Sequence, residues 1–264
     1  MPDGAGASST TIGDAAEPAS CRMAPELSNR MPPYALAIFD FDGTLADSWR
    51  LMGQAMIDAA DRFGYRRLSP DEAQDLRGKD TRLVMQAMGV RMWQLPAIVM
   101  HMRQVALQQA GEVTLFEGVP AMLHALRTAG VRVAVVSSNG EEAIRAVLGP
   151  EVGRLVDDYD CGAAIFGKAS KFRRVVRRAG VRPSETIGVG DEVRDIDAAR
   201  TAGTASGAVT WGYATPELLE SHAPTHLFRT VDELTNVLVD PSPHPPPSRP
   251  GTANPDAPPT PASA

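Results

Sequence analysis

Cysteine and lysine are both scarce in this chain. Of its 264 residues, two are cysteines, Cys21 and Cys161, and only three are lysines, against 23 arginines. Two cysteines cannot build a disulfide framework, so the sequence predicts a reducing, cytoplasmic setting. The lysines stand out, because a chain this biased towards arginine is expected to keep lysine where a compact point charge is needed.

Long apolar runs and excess positive charge are missing as well. The sequence has no run of about 18 apolar residues, the length that a membrane-spanning helix needs, and its N-terminal region lacks the apolar stretch of a secretory signal. The formal net charge is −6, whereas proteins that bind nucleic acid concentrate Lys and Arg. We therefore expect neither a membrane nor nucleic acid as a partner.

Both ends of the chain differ in composition from the middle. Residues 1–32 are rich in Gly, Ala, Ser and Pro without periodicity, and ten of the last 24 residues are proline, which fits neither a helix nor a central strand. We predict disordered tails over 1–32 and 240–264. Because Met31 directly precedes the first predicted strand, the N-terminal tail is also expected to be partly an artefact of start-site assignment.

Strand and helix patterns alternate through most of the remainder. Leu36–Phe39 is typical of a short buried strand, and residues 48–117 then show helical patterns without a strand, starting from a possible helix cap at Ser48. The strands predicted after this insertion are Val131–Val136, 160–164, Thr186–Val189, Ala208–Thr210 and His226–Phe228. The order predicts an α/β fold in which a doubly wound parallel sheet, residues 33–47 and 118–239, carries an all-helical domain at 48–117.

Two aspartates follow the first predicted strand. Asp40 and Asp42 alternate with Phe41, so both carboxylates point to the same side at the carboxyl end of the strand, where open α/β sheets bind ligands. Like charges this close raise each other's pKa unless a cation lies between them, so a divalent metal is expected. The alternative is an Asp-rich turn that merely closes the strand.

Residues Asp40-Phe-Asp-Gly-Thr-Leu45 resemble the first motif of the haloacid dehalogenase superfamily, whose members are mostly magnesium-dependent phosphatases. Three further segments match the remaining motifs in the same order. Ser137 ends an apolar strand, a lysine follows, and Gly190-Asp-Glu-Val-Arg-Asp195 matches the form Gly-Asp-x-x-x-Asp. Each segment alone could be an ordinary turn or helix cap, but four in order are far more specific. The resemblance covers roughly residues 35–239.

The third motif leaves a choice between two lysines. Lys168 and Lys171 both fall near the start of a predicted basic helix. We favour Lys168, because its distance from Asp191 is closer to that in relatives, whereas Lys171 lies one turn further into the helix. An exposed basic helix face is the alternative.

The resemblance implies a role for each motif residue. Asp40 would attack phosphorus and form an aspartyl-phosphate, and Asp42 would protonate the leaving group and then activate water. Mg²⁺ would bind the carboxylates of Asp40 and Asp191 and the backbone carbonyl of Asp42. Ser137 and Lys168 would orient the transferring phosphoryl group.

Residues around these motifs are expected to support them. Asp195 would position Lys168 or a metal-bound water. The predicted phosphate-binding residues are Gly43, Thr44, Ser138 and Asn139. Arg77 and Lys79 lie between two predicted helices of the insertion, and we predict that they contact an anionic substrate, although a solvated surface loop is the alternative.

An inserted helical cap at this point is similar to that of phosphoglycolate phosphatases. The resemblance therefore implies a phosphatase of a small, phosphoglycolate-like metabolite, acting as a monomer or homodimer. The presence of Asp42 disfavours a dehalogenase, since that class carries another residue there. A sugar-phosphate mutase keeps both aspartates and is the closest rival. A non-catalytic phosphate-binding or scaffold protein that docks through its Pro-rich tail is a second alternative, although such a protein has no use for a second carboxylate beside the first.

Overall fold

The computed structural model of the chain describes residues 32–76, 81–162 and 167–240. The predicted substrate contacts Arg77 and Lys79 lie outside these residues, and so do the predicted tails apart from residues 32 and 240. All described elements lie in Met31–Ala264, one of the two units into which the chain divides.

Within the described residues, six parallel strands form one sheet. They are β1 Leu36–Phe39, β4 Arg132–Val136, β5 Asp158–Asp160, β6 Thr186–Gly190, β7 Ala205–Val209 and β8 His226–Phe228. Across the sheet the order is β5-β4-β1-β6-β7-β8, so β1 lies between β4 and β6. Because these strands are parallel, their carboxyl ends meet at one edge of the sheet, where ligands of open α/β sheets bind.

Helices flank the sheet and fill the insertion. Within the described residues they are α1 Trp49–Phe63, α2 Pro70–Asp75, α3 Thr81–Ala87, α4 Leu95–Gln108, α5 Val119–Thr128, α6 Glu141–Gly153, α7 Lys168–Ala179, α8 Val193–Ala202, α9 Pro216–Ser221 and α10 Val231–Val239. We call residues 48–113, which carry α1 to α4, the helical segment. None of the described helices is long and apolar enough to cross a membrane.

The two faces of the sheet have separate cores, as the period-2 alternation of a strand requires. Ala37 and Phe39 pack with residues of α5, α6 and α10, whereas Leu36 and Ile38 pack with residues of α7 and α8. Both faces are covered by helices, so β1 is buried throughout. The helical segment has an apolar cluster of its own, which includes Ala59, Tyr65, Met88 and Ile98.

The prediction of a doubly wound parallel sheet is confirmed, and the structure corrects two details. Residues 48–117 were expected to hold no strand, which is wrong, because β3, Thr114–Leu115, pairs in antiparallel with β2, Ala46–Asp47. A strand of two residues is too short to show a periodic pattern in the sequence, and the strand with which β3 pairs lies far away along the chain. The strand expected at 160–164 begins earlier, at Asp158. The division into a core domain and a cap domain stays a prediction.

Candidate active site

The four motif segments meet at the carboxyl edge of the sheet. Asp40 follows β1 and Ser137 follows β4, the strand beside it, while Asp191 follows β6 on the other side. Lys168 is the first residue of α7, which packs against the same strands. The structure therefore brings together residues as far apart in the sequence as Asp40 and Asp191, which are 151 positions apart.

The Asp40 carboxylate is buried and held at both oxygens. The backbone N–H of Phe41 donates to Oδ1 at 2.8 Å, and Lys168 Nζ pairs with Oδ2 at 2.6 Å. Lys168 also forms an ion pair with Asp195. Burial opposes the charged form of Lys168, but the carboxylates of Asp195 and Asp40 outweigh it and hold its pKa above the ordinary value. The ammonium is therefore charged at neutral pH.

Asp191 lies fully buried beside the first motif. Its Oδ1 accepts a hydrogen bond from the Thr44 hydroxyl at 2.8 Å, and its Oδ2 accepts one from the backbone N–H of Tyr213 at 2.8 Å. A side chain on Gly43 would overlap this carboxylate, so glycine is required there for space as well as for its φ of 75°. Gly43 and Thr44, predicted as phosphate-binding residues, thus contact Asp191.

The segment after β6 carries a carboxylate that the sequence analysis did not assign. Carboxylate oxygens of Asp40, Glu192 and Asp195 lie within 4.8 Å of one another, close enough to share a metal ion. Burial raises the pKa of Asp191 well above its ordinary value, and the charges of Glu192, Asp195 and Asp40 add to that effect. Arg194, also unassigned from the sequence, pairs with Glu192.

The charges of this site are not balanced by the described residues. Two cationic side chains, Lys168 and Arg194, face five carboxyl groups, so the carboxylates in their ionised forms exceed these cations by three charges. The carboxylates are those of Asp40, Asp42, Asp191, Glu192 and Asp195. Hard divalent cations prefer carboxylate oxygens, and a bound cation would remove two of the three excess charges. The residues present therefore fit Mg²⁺.

Asp42 differs from the other carboxylates in its hydrogen-bond partners. Burial and the charge of Asp40 raise its pKa to about 6. Hydrogen bonds from Ser48 and Asn139 and the charge of Arg194 oppose this shift without cancelling it. Ser48 was expected to cap α1, but its hydroxyl makes no capping bond and lies 2.7 Å from the Tyr213 hydroxyl instead. Asp42 therefore exchanges a proton near neutral pH.

The loop between β4 and α6 carries the second motif. Ser137 is buried, and its Oγ accepts a hydrogen bond from the backbone N–H of Asn139 at 3.0 Å. The Asn139 side-chain oxygen accepts one from the N–H of Gly140 at 2.8 Å. These bonds shape a turn at the start of a helix, where backbone N–H groups favour anions. Ser138 is exposed, and its carbonyl accepts a hydrogen bond from Arg103 at 3.3 Å.

Lys171, the rejected candidate for the third motif, has a different environment. Its Nζ donates to the backbone carbonyls of Ser137 at 2.7 Å, Gly162 at 2.7 Å and Asp160 at 3.2 Å. This ammonium therefore joins the ends of β4 and β5, whereas that of Lys168 pairs with the carboxylates. The placement favours the choice of Lys168, although its catalytic role, like those of the other predicted site residues, stays a prediction.

Known proteins resemble this chain in both sequence and fold. The family model of the haloacid dehalogenase-like hydrolases matches residues 37–209. The phosphoglycolate phosphatase of Synechococcus elongatus is 31% identical over 203 residues, which cover 76% of this chain and 96% of the relative. Tyrosine-protein kinase PtkA of Mycobacterium tuberculosis is 30% identical over 209 residues, covering 77% of this chain and 72% of the relative. The crystal structure of a predicted phosphatase from Clostridium acetobutylicum matches this chain with a TM-score of 0.67 at 20% identity. The match covers 77% of this chain and 97% of that one, and at this identity it shows a common fold only.

The fold and the acidic site define a hydrolase with a doubly wound core. The chain belongs to the haloacid dehalogenase-like hydrolases. This confirms the family expected from the four motifs, and with it the prediction of an enzyme that is a phosphoric monoester hydrolase of the haloacid dehalogenase type.

Proposed function

We propose that this protein is a magnesium-dependent phosphatase that hydrolyses a small phosphorylated metabolite through an aspartyl-phosphate. The observation that carries the proposal is the Asp40 carboxylate, which is buried, oriented by the Phe41 N–H and paired with Lys168. A fixed carboxylate beside a charged ammonium suits attack on an anionic phosphoryl group, because the lysine offsets the repulsion between the two anions.

Two proton transfers by Asp42 complete the reaction. As an Asp40 oxygen forms its bond to phosphorus, the ester P–O bond breaks and the leaving alkoxide takes the Asp42 proton. Asp42 then takes a proton from the water that attacks the aspartyl-phosphate, which releases inorganic phosphate and restores Asp40. A pKa of about 6 suits both roles, because the group is present in both protonation states near neutral pH.

The acidic segment supports a magnesium site. The ligands expected from the family motif are the carboxylates of Asp40 and Asp191 and the backbone carbonyl of Asp42. Glu192 joins these as a candidate, since its carboxylate lies with those of Asp40 and Asp195. When bound, Mg²⁺ supplies Lewis-acid stabilisation of charge on the phosphoryl oxygens. Lys168 and Ser137 then orient the group, and Asp195 holds Lys168 in place through their ion pair.

A small substrate is supported by the size of the cavity beside the site. Its volume is about 260 Å³, and its lining includes Asp42, Asn139 and Arg194 together with residues of the helical segment. This arrangement supports the predicted role of the helical segment as a cap that excludes water from the reaction. Relatives named phosphoglycolate phosphatase make that ester the first metabolite to assay.

The test is phosphate release from para-nitrophenyl phosphate by the full chain, with Mg²⁺ and with EDTA, in wild type and in Asp40→Asn. Asp47→Asn is the matched control, because Asp47 is an exposed carboxylate seven residues along the chain. We expect magnesium-dependent release that Asp40→Asn abolishes and Asp47→Asn preserves. A hydroxylamine-labile phosphoryl group on quenched wild-type protein would identify the intermediate.

Other outcomes separate the rival functions. Phosphoryl transfer to a sugar phosphate without net phosphate release would replace the proposal with a mutase. A folded protein that binds phosphate but neither releases nor transfers it would favour the scaffold alternative. Release that persists in Asp40→Asn would show that another residue is the nucleophile.

A further inference from the structure

The cavity reaches from the site into the helical segment. Part of its lining is formed by Asp42, Asn139, Glu192 and Arg194, which belong to three of the four motif segments. The rest of its wall comes from the helical segment, together with Tyr213 and Ser138. Asp42 belongs to this lining, so a phosphate ester bound beside Asp42 would place its organic part against α1, α3 and α4.

The described residues that the helical segment contributes to this wall are almost all apolar. Of the thirteen described residues that the helical segment contributes, twelve are apolar or aromatic. Five of them are methionines: Met52, Met56, Met85, Met88 and Met102. The hydroxyl of Tyr65 donates to the backbone carbonyl of Met56 at 2.9 Å, so it is already satisfied. None of these twelve described residues offers a carboxylate a charged side chain, so a carboxylate placed against them would lose its water without compensation from them, which is costly.

Arg103 is the one charged side chain among those thirteen residues, and it contacts the loop of the second motif. Its Nη2 donates to the carbonyl of Ser138, and the same nitrogen lies close to Gly162, so the guanidinium rests against the loops that follow β4 and β5. Its Nε is buried and has no acceptor in the described protein. This donor is near the predicted phosphate loop, so it suits the phosphoryl oxygens better than a distant group of the substrate.

We infer that the substrate of this enzyme is a phosphate monoester of a small apolar alcohol, either a branched alkyl or a single-ring aryl compound, without a second anionic group. The inference rests on the proposed phosphatase function and narrows its substrate class away from phosphoglycolate. A cavity of about 150 Å³ accommodates benzene, so 260 Å³ holds a phosphoryl group with about four to six carbons. Methionine side chains adapt to different apolar shapes, so several such alcohols would fit.

A pair of nearly isosteric esters tests this inference. Isobutyl phosphate replaces the carboxylate of phosphoglycolate with an isopropyl group of similar shape. With full-length protein and Mg²⁺, we expect kcat/KM for isobutyl phosphate to exceed that for phosphoglycolate at least tenfold. Along methyl, ethyl, propyl and butyl phosphate, kcat/KM should rise about fourfold per methylene, the value expected for burying each one. Equal or higher kcat/KM for phosphoglycolate would overturn the inference.

Two methionines on α4 provide a matched pair of variants. Met102 lines the cavity, whereas Met100 is 72% exposed. Met102→Gln should lower kcat/KM for isobutyl phosphate about tenfold while leaving methyl phosphate within twofold, and Met100→Gln should change neither. If Met102→Gln does not fold, Met85→Gln takes its place. If Met102→Gln lowered kcat/KM equally for both esters, or if both variants lowered it equally, the wall would not bind the organic part of the substrate.

A binding measurement separates this inference from the proposed function. In 3-methylbutylphosphonate and 3-phosphonopropionate a methylene replaces the ester oxygen, so neither can be hydrolysed. Calorimetry with wild-type protein and Mg²⁺ should show at least tenfold tighter binding of the first. Tighter binding without turnover of any ester would preserve the apolar preference and reject the phosphatase. Turnover of the esters together with tighter binding of 3-phosphonopropionate would support the phosphatase and reject the apolar preference.

Discussion

Lys168→Met removes the one ammonium that pairs with both Asp40 and Asp195. The side chain of Lys168 is 13% exposed, and those of its two partners are 4% and 1% exposed. Methionine keeps the length and the apolar stem but leaves both carboxylates without this cation. The site thereby loses one of its two cationic side chains, so we expect the variant to be less stable than wild type when no metal is bound.

The size of the effect follows from burial. Removing one partner of a buried ion pair costs about 3–5 kcal/mol, because a charge is left uncompensated. For a domain of this size each kcal/mol lowers Tm by about 2–4 °C, so Tm in EDTA should fall by about 10 °C. Bound Mg²⁺ compensates the same carboxylates, and at a hundred times its Kd it adds about 2.7 kcal/mol. The variant should therefore gain more stability from Mg²⁺ than wild type does.

The assay is thermal unfolding of the full chain in EDTA and in a magnesium titration, followed by circular dichroism. Arg177→Met is the control, since Arg177 is an exposed cation on the same helix, and its unfolding free energy should change by less than about 0.5 kcal/mol. A Tm of Lys168→Met within 1 °C of wild type in EDTA would refute the reasoning. It would mean that the carboxylates are screened by water or already protonated.

Three further outcomes are expected. Asp42→Asn should stabilise the metal-free protein by up to about 3 kcal/mol above pH 6, because a pKa raised to about 6 means that the ionised form of Asp42 destabilises the fold. This gain in stability should shrink as pH falls from 6 to 4, where Asp42 becomes protonated. A gain that grows on acidification would contradict the prediction. Gly43→Ala should cost about 2–4 kcal/mol in chemical denaturation, against about 1 kcal/mol for Gly130→Ala, since both have positive φ but only Gly43 abuts Asp191. In a Cys21→Ser chain, Cys161 should react with a disulfide reagent far more slowly than a free thiol at pH 7.5, because burial raises its pKa to about 11, and complete labelling within seconds would count against that value.

The strand ends could be predicted because their signal is local. A short apolar run such as Leu36–Phe39, followed by carboxylates and Gly43, indicates a buried strand and its carboxyl end without reference to the rest of the chain. The alternation of strands and helices then implies a parallel sheet, in which such ends lie together. The positions of Asp40, Ser137 and Asp191 beside one another follow from this reasoning.

The contacts between distant side chains could not be predicted in this way. Thr44 is predicted to contact phosphate, and nothing in the sequence indicates that its hydroxyl donates to Asp191, which lies 147 positions away. Ser48 has the residue type and position of a helix cap, but its hydroxyl lies against that of Tyr213. A hydroxyl satisfies whichever acceptor the tertiary structure places nearby, and nothing local in the sequence identifies that acceptor.

The same limit applies to the cavity wall. Met52 and Met56 are four residues apart, as on one face of a helix, but helical periodicity gives the same pattern for a residue that packs in a core and one that faces a cavity. Glu192 could have been noticed, because it directly follows Asp191 within the fourth motif. Its share in the acidic cluster depends on the turn of the chain into α8, which places it near Asp40.

The environments of the two lysines that the structure describes, Lys168 and Lys171, give a physical reason for lysine at these positions. The ammonium of Lys171 has three carbonyl oxygens around it, and that of Lys168 has two carboxylates. In each case several oxygen acceptors lie around one nitrogen atom, which suits the three N–H donors of an ammonium group. A guanidinium would present its donors in one plane, a geometry that does not match acceptors on several sides of one nitrogen. Arginine can replace lysine on the surface, where hydration tolerates either geometry, but not at these two positions, so a chain otherwise rich in arginine keeps lysine at the edge of its sheet.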